Sequence, residues 1–218
     1  VAAPSPHNSA DYPSSSPAGE QRVVFQNLNW QSYQQILQAL GHQRSARLHY
    51  DQGTLEIVMP LEEHEFYSEL IGRFIYFLVS HLGQRIKSMG STTLDREGLN
   101  RGAEPDKAYY IQNQARVAGK TVNLDVDPPP DLVVEVDITH TDIDKLSLYA
   151  AMGVAEFWRY NGEVWQIYQN AEDCFREVET SPTFPFVPKE KLYEFLQQAK
   201  EDEIGAEMDL REWLKEMD

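Results

Sequence analysis

Cysteine is almost absent from this 218-residue chain: Cys174 stands alone, which excludes an internal disulfide and a cysteine zinc cage and fits a reducing compartment. No apolar run approaches the ~20 residues needed to cross a bilayer, so no membrane span is expected. The first residues carry neither the basic nor the apolar segment of a secretory signal, and a cytoplasmic protein is expected. Basic residues are scarce too. Lys and Arg number 19 against 35 Asp and Glu, a formal net charge of −16, whereas proteins that grip a phosphate backbone normally do so with cations that release counterions. Taken alone, this balance argues against nucleic acid. Net charge is a sum over faces, however, and ten of the acids lie between Glu190 and Asp218, in what reads as solvated helix surface. The stretch from Gln84 to Arg101 differs, with Arg85, Lys87, Arg96 and Arg101 against only Asp95 and Glu97, a weak local basic patch.

What is present suffices for one domain with appendages, since 41% hydrophobic residues can fill a sizeable core. Residues 1 to about 20 are rich in Ala, Pro and Ser and read as a flexible tail. Residues 21–188 read as the domain, and 189–218 as a helical extension packed on or beside it. Trp30, Tyr33, Ile36, Leu37 and Leu40 recur at helical spacing, closed by Gly41. Alternation around Asp51-Gln52-Gly53 predicts a hairpin over 47–50 and 54–59. Phe66, Leu70, Phe74, Phe77 and Leu78 give a main helix over 61–82 one buried stripe. Strands are expected over 85–93, over 106–111 and around Leu132 to Val136. A helix capped by Thr139 or Thr141 and ended by Gly153 comes next, then a hairpin around Asn161-Gly162. The order helix, three strands, helix, strand pair predicts a mixed α/β, or α+β, domain around one central sheet.

The chemistry concentrates in Pro130-Asp131-Leu132-Val133-Val134-Glu135-Val136-Asp137. Alternation places Asp131, Val133, Glu135 and Asp137 on one face of an apolar, β-branched strand, where a buried carboxylate is costly without a cation. Asp106, behind Pro105 at the start of another strand, offers a second acid. Two acids on neighbouring strands fit a hard cation, Mg²⁺ or Mn²⁺, which keeps several waters and bridges to phosphate oxygens. Such an ion polarises a phosphodiester and helps to ionise an attacking water. Lys145, one helical step past the strand, is the lysine expected to assist, because alternation points Lys107 away from Asp106. Two readings of these residues stand: a metal site, or a structural ion pair of Glu135 with Lys145 or an arginine, Asp106 then being a turn acid after Pro105. Glu62, Glu65 and Glu69 share a helix face that reads first as solvated. His64 and Glu69 are kept as accessory candidates, with Asp137 and with Asp131, which reads first as a turn residue. Tyr149, Trp158 and Trp165 read as core.

The runs PPPDLVVEVDIT and DIDKLSLYAAMGVAEFWRY, with MPLEEHEFYSELIGRF and EPDKAYYI, resemble the Uma-two family of restriction endonuclease-like proteins, within the PD-(D/E)XK nuclease superfamily. The resemblance covers about Leu55 to Tyr168. It implies a restriction-endonuclease-like fold and metal-dependent cleavage of DNA, with Asp106 and Glu135 as metal ligands and Lys145 as a lysine supplied from the next helix. Arg85, Lys87, Arg96 and Arg101 become the candidate DNA contacts, and a homodimer is expected by analogy of fold. The chain departs from the superfamily pattern two residues after Glu135, where Asp137 stands in place of lysine. The alternative is a nuclease fold that has lost catalysis and binds DNA or another protein.

Overall fold

The structure, a computed structural model, describes residues 21–41, 44–138 and 141–217. The chain opens with β1 (Gln21–Phe25), α1 (Trp30–Leu40), the hairpin β2 (Arg47–Asp51) and β3 (Thr54–Met59), and the long helix α2 (Glu62–His81). Next come β4 (Lys87–Ser88), β5 (Leu94–Arg96), β6 (Arg101–Ala103), β7 (Lys107–Tyr110), α3 (Gln114–Val117) and β8 (Leu132–Val136). It ends with α4 (Lys145–Ala151), β9 (Glu156–Tyr160), β10 (Trp165–Ala171), β11 (Cys174–Val178), α5 (Lys189–Ala199) and α6 (Glu203–Lys215). The tail expected over 1–20 and the candidate cap Thr139 lie outside the described residues.

A six-stranded sheet in the order β11-β10-β9-β8-β7-β4 carries the core. Its β8 and β9 run parallel, with Glu135 opposite Arg159, and α4 makes the crossover that a parallel pair requires. The other neighbours are antiparallel. The sequence order helix, three strands, helix, strand is therefore met by α2, β4, β7, β8, α4 and β9, in a mixed α+β fold. β8 is buried on both faces, which is why it reads as a near-continuous apolar run. Leu132, Val134 and Val136 share one core with Leu70, Phe74 and Leu78 of α2, against which α5 and α6 add Phe195, Leu196, Leu210 and Leu214. Val133 packs on the opposite face with Ala108, Phe157, Leu148 and Tyr149. Each large apolar side chain so buried contributes about 1.5–3 kcal/mol.

One central sheet was expected; two are present. A second, antiparallel sheet in the order β1-β3-β2-β6-β5 forms because β5 and β6 make a tight hairpin of their own, turned at Asn100 in the left-handed region (φ 56°). That segment reads as a polar loop in sequence, and its strands are too short to show alternation. α1 covers one face of this sheet, where Tyr33 stacks on Tyr50 at 4.7 Å beside Leu48 and Leu55. Asn29 caps the helix, accepting from the Ser32 N–H at 2.8 Å. The strand expected over 85–93 shrinks to Lys87–Ser88, because Gly90 turns the chain at φ 56°. The cap of α4 is Asp144, which accepts from the Ser147 N–H, in place of the expected threonine. Among the described residues no helix is long and apolar enough to cross a membrane.

Candidate metal and active site

The alternation that buries Leu48 and Tyr50 under α1 turns Arg47 and His49 the other way, onto the end of the main sheet. There they meet Asp106 and Glu135. The β7–β8 register pairs Lys107 with Val134, so Asp106 lies one step further on, alongside Glu135. Asp106 is buried, and its Oδ2 accepts from the Val136 N–H at 2.7 Å, which ties it to the residue directly after Glu135. His64 Nε2 stands 2.9 Å from the same oxygen, and an Arg47 guanidinium nitrogen 3.0 Å from Oδ1.

Glu135 is equally enclosed. Lys145 Nζ donates to its Oε2 at 2.7 Å, His49 Nε2 lies 3.3 Å from Oε1, and the Tyr149 hydroxyl also donates to Oε1. Lys145 bridges on to Asp137 Oδ1 at 2.6 Å. Asp137 Oδ2 lies 3.1 Å from Arg159 Nε, yet neither atom has a hydrogen-bond partner, so the contact is electrostatic and leaves a buried acceptor open.

These contacts set the protonation states. Burial opposes charge on Glu135, but Lys145 and His49 outweigh it and hold the carboxyl well below its usual range. Burial likewise opposes charge on Lys145, and Asp137 and Glu135 outweigh it, so the ammonium persists far above neutral pH. Tyr149 is pushed up by burial and by Glu135, and remains a proton donor. Burial would lower the pKa of His64; its hydrogen bond to Asp106 and that group's charge raise it overall.

The structure thus brings together Asp106, Glu135, Lys145, Asp137 and His64. It separates Glu69, whose carboxylate pairs at 2.9 Å with Lys107, a residue directed to the α2 face of the sheet. Asp131 is also apart: its carboxylate accepts from the Ile111 and Asn113 N–H groups at 2.7 and 2.9 Å and fixes the loop after β7. The four candidate DNA contacts are dispersed. Arg96 donates to the Met152 carbonyl, Arg101 pairs with Asp51, Lys87 donates to the Val117 carbonyl, and Arg85 is exposed. Arg47, His49 and Arg159 escaped the sequence reading, and Tyr149 was read as core alone. The one signal for the first two was alternation in Arg47-Leu48-His49-Tyr50, which marks a polar face without saying what it meets.

A family model for Uma2, described as "Putative restriction endonuclease", matches residues 30–203. The chain belongs to the Uma2 family. No curated protein matches it. The Uma2 match runs from the start of α1 to the first residue of α6, so the whole cluster lies inside it. Among the described residues no three His, Cys, Asp or Glu side chains converge as a closed metal cage. What converges is Asp106 and Glu135, with the open oxygen of Asp137 nearby. Those hard oxygens fit a loosely caged Mg²⁺ or Mn²⁺ that takes one or two carboxylates and keeps its waters, and they do not fit a soft thiolate site.

Proposed function

We propose that this Uma2 chain is a divalent-metal-dependent endonuclease that hydrolyses DNA phosphodiester bonds. One observation carries the reading: a lysine from α4 reaches Glu135 at 2.7 Å, alongside Asp106 on the neighbouring strand. An ammonium is thereby supplied to the second carboxylate although Asp137 occupies the place of the strand lysine. Asp106 and Glu135 are the residues that would hold Mg²⁺ or Mn²⁺. The ion, when bound, supplies polarisation of the phosphodiester and a more acidic water. Lys145 would serve by hydrogen-bonding the attacking water and by balancing the negative charge that builds on the phosphoryl oxygens. Tyr149 and His49 hold Glu135 in place; His64 does the same for Asp106. By analogy of fold a homodimer would offer one such site to each DNA strand, which sedimentation would detect.

The test is nicking of supercoiled plasmid in Mg²⁺ and in Mn²⁺ by the wild type beside Asp106→Asn, Glu135→Gln and Lys145→Met. The reading expects activity to vanish in all three variants while circular dichroism shows them folded. Cleavage that survives Glu135→Gln would overturn the site. The second reading, a nuclease fold that only binds, is favoured by one feature: both carboxylates are already saturated by protein cations. DNA retained in gel shift without cleavage in either metal would select it.

A further inference from the structure

The acids of the site are balanced by the chain's own cations. Arg47 lies against Asp106, Lys145 against Glu135 and Asp137, and Arg159 against Asp137, at 2.6 to 3.1 Å. Three carboxylates therefore face three permanent cations in a largely buried cluster, with His64 also against Asp106 and His49 against Glu135. A divalent ion entering it would add two positive charges with no uncompensated acid to receive them, so one resident cation must yield its carboxylate.

The three residents are not equivalent. Lys145 is 9% exposed and its ammonium is held between Glu135 and Asp137, with the charge of Asp106 also acting on it, so every acid that holds it belongs to the cluster. Arg159 pairs with Asp137, and among the described residues no ion pair links it to Asp106. Arg47 both covers the Oδ1 of a proposed metal ligand and has a second anionic partner outside the cluster. Its other terminal nitrogen donates at 2.8 Å to Glu65, which is 52% exposed on the first turn of α2. Both residues line a groove of about 620 Å³ that also takes in Thr92, Thr93 and Glu104. Arg47 therefore has room and a remaining counter-ion on the side away from Asp106.

We propose that Arg47 is a built-in competitor of the divalent ion: it covers Asp106 Oδ1 in the metal-free protein and surrenders that oxygen on metal binding, keeping Glu65 as its partner. The inference rests on the metal reading of the site given above. It makes Arg47 a positioning residue that holds Asp106 until the ion takes its place, and it sets the metal affinity lower than the bare carboxylates would give. Glu65, read from sequence as solvated surface, becomes the holder of the displaced guanidinium.

Titration calorimetry of the full chain with MnCl₂ tests this on the wild type, Arg47→Gln, Arg159→Gln, Glu65→Gln and Asp106→Asn. Arg47→Gln is expected to bind Mn²⁺ on the order of tenfold more tightly, since the uncompensated carboxylate it leaves is relieved by the ion. Arg159→Gln, which removes the same charge without uncovering Asp106, is expected to change affinity much less. Glu65→Gln is expected to weaken binding several-fold, because Arg47 then has no second acid to hold it. Asp106→Asn should abolish binding. Unchanged or weaker binding in Arg47→Gln, or equal tightening in Arg159→Gln, overturns the competition and leaves the metal reading standing, provided that the wild type binds and Asp106→Asn does not. Mn²⁺ bound by none of the proteins overturns both. Should Arg47→Gln fail to fold, Glu65→Gln decides: a solvent-exposed change with undiminished affinity sinks the proposal.

Discussion

Lys145 Nζ stands 2.7 Å from Glu135 Oε2 and 2.6 Å from Asp137 Oδ1, so one ammonium holds two acids that face the same side of β8 and its end. Lys145→Met keeps the stem and removes the charge. Truncating one partner of a buried ion pair costs about 3–5 kcal/mol, because the other is left uncompensated. Urea denaturation at pH 7 should show a loss of that order, and plasmid nicking should fall by at least ~100-fold, as on removing one charge-stabilising donor. Adding Asp137→Asn should recover part of the stability, since one stranded acid is gone, and none of the activity.

Much of this arrangement is legible in the sequence, and the reason is local. Glu135 interrupts an apolar β-branched strand, Asp106 begins another, and Lys145 starts the next helix, so periodicity gives each its element and face, and the family resemblance implies that the three act together. Arg47 and His49 belong to a hairpin whose packing partner periodicity does not name. The second sheet carries them to Asp106 and Glu135, and it depends on the pairing of β2 with the three-residue strand β6, a contact between residues about 50 apart with no pattern long enough to announce it. Asp131 shows the converse. It shares the strand face of Glu135, and only the loop that follows β7 decides that its carboxylate binds backbone amides instead.

Tyr149→Phe removes a hydroxyl that donates to Glu135 Oε1 and leaves the ring packed near Phe157. A hydrogen bond to a charged group contributes about 1.5–3 kcal/mol. Denaturation should report a loss in that range without a change in fold. Lys145 and His49 still hold Glu135, so nicking should fall far less than in Lys145→Met. A variant as stable as the wild type would mean that the hydroxyl finds its worth elsewhere.

His64 links stability to pH. Its folded pKa is raised above the ordinary 6.5, chiefly because the hydrogen bond and charge of Asp106 outweigh the opposing effect of burial. A group whose pKa is higher in the folded state stabilises the fold fully below its unfolded value and loses that contribution as pH rises through the folded one. The stability difference between wild type and His64→Gln should therefore be larger at pH 6 than at pH 9, measured by urea denaturation at both. Glu135 acts in the opposite sense: its lowered pKa gives stability that is present above about 4.5 and is lost as pH falls further. Wild-type stability should accordingly decline on the acid side below that value, and by less in Glu135→Gln.

Asp131 and Glu135 are the sharpest pair for separating a structural acid from a functional one, because strand alternation alone gives them the same standing. The Asp131 carboxylate accepts from the Ile111 N–H at 2.7 Å and the Asn113 N–H at 2.9 Å, with the Asn113 side-chain amide as a third donor, so every donor comes from the turn after β7. Glu135 receives side chains from β2 and α4. Asp131→Ala strands buried amides, each costing about 1–3 kcal/mol, and should lower stability accordingly. The folded fraction should still bind Mn²⁺ with wild-type affinity in calorimetry. Glu135→Ala should lose the ion altogether. Were Asp131→Ala to weaken Mn²⁺ as strongly as Glu135→Ala, the loop after β7 would have to be part of the site, and the division drawn along β8 between a structural end and a functional end would fail.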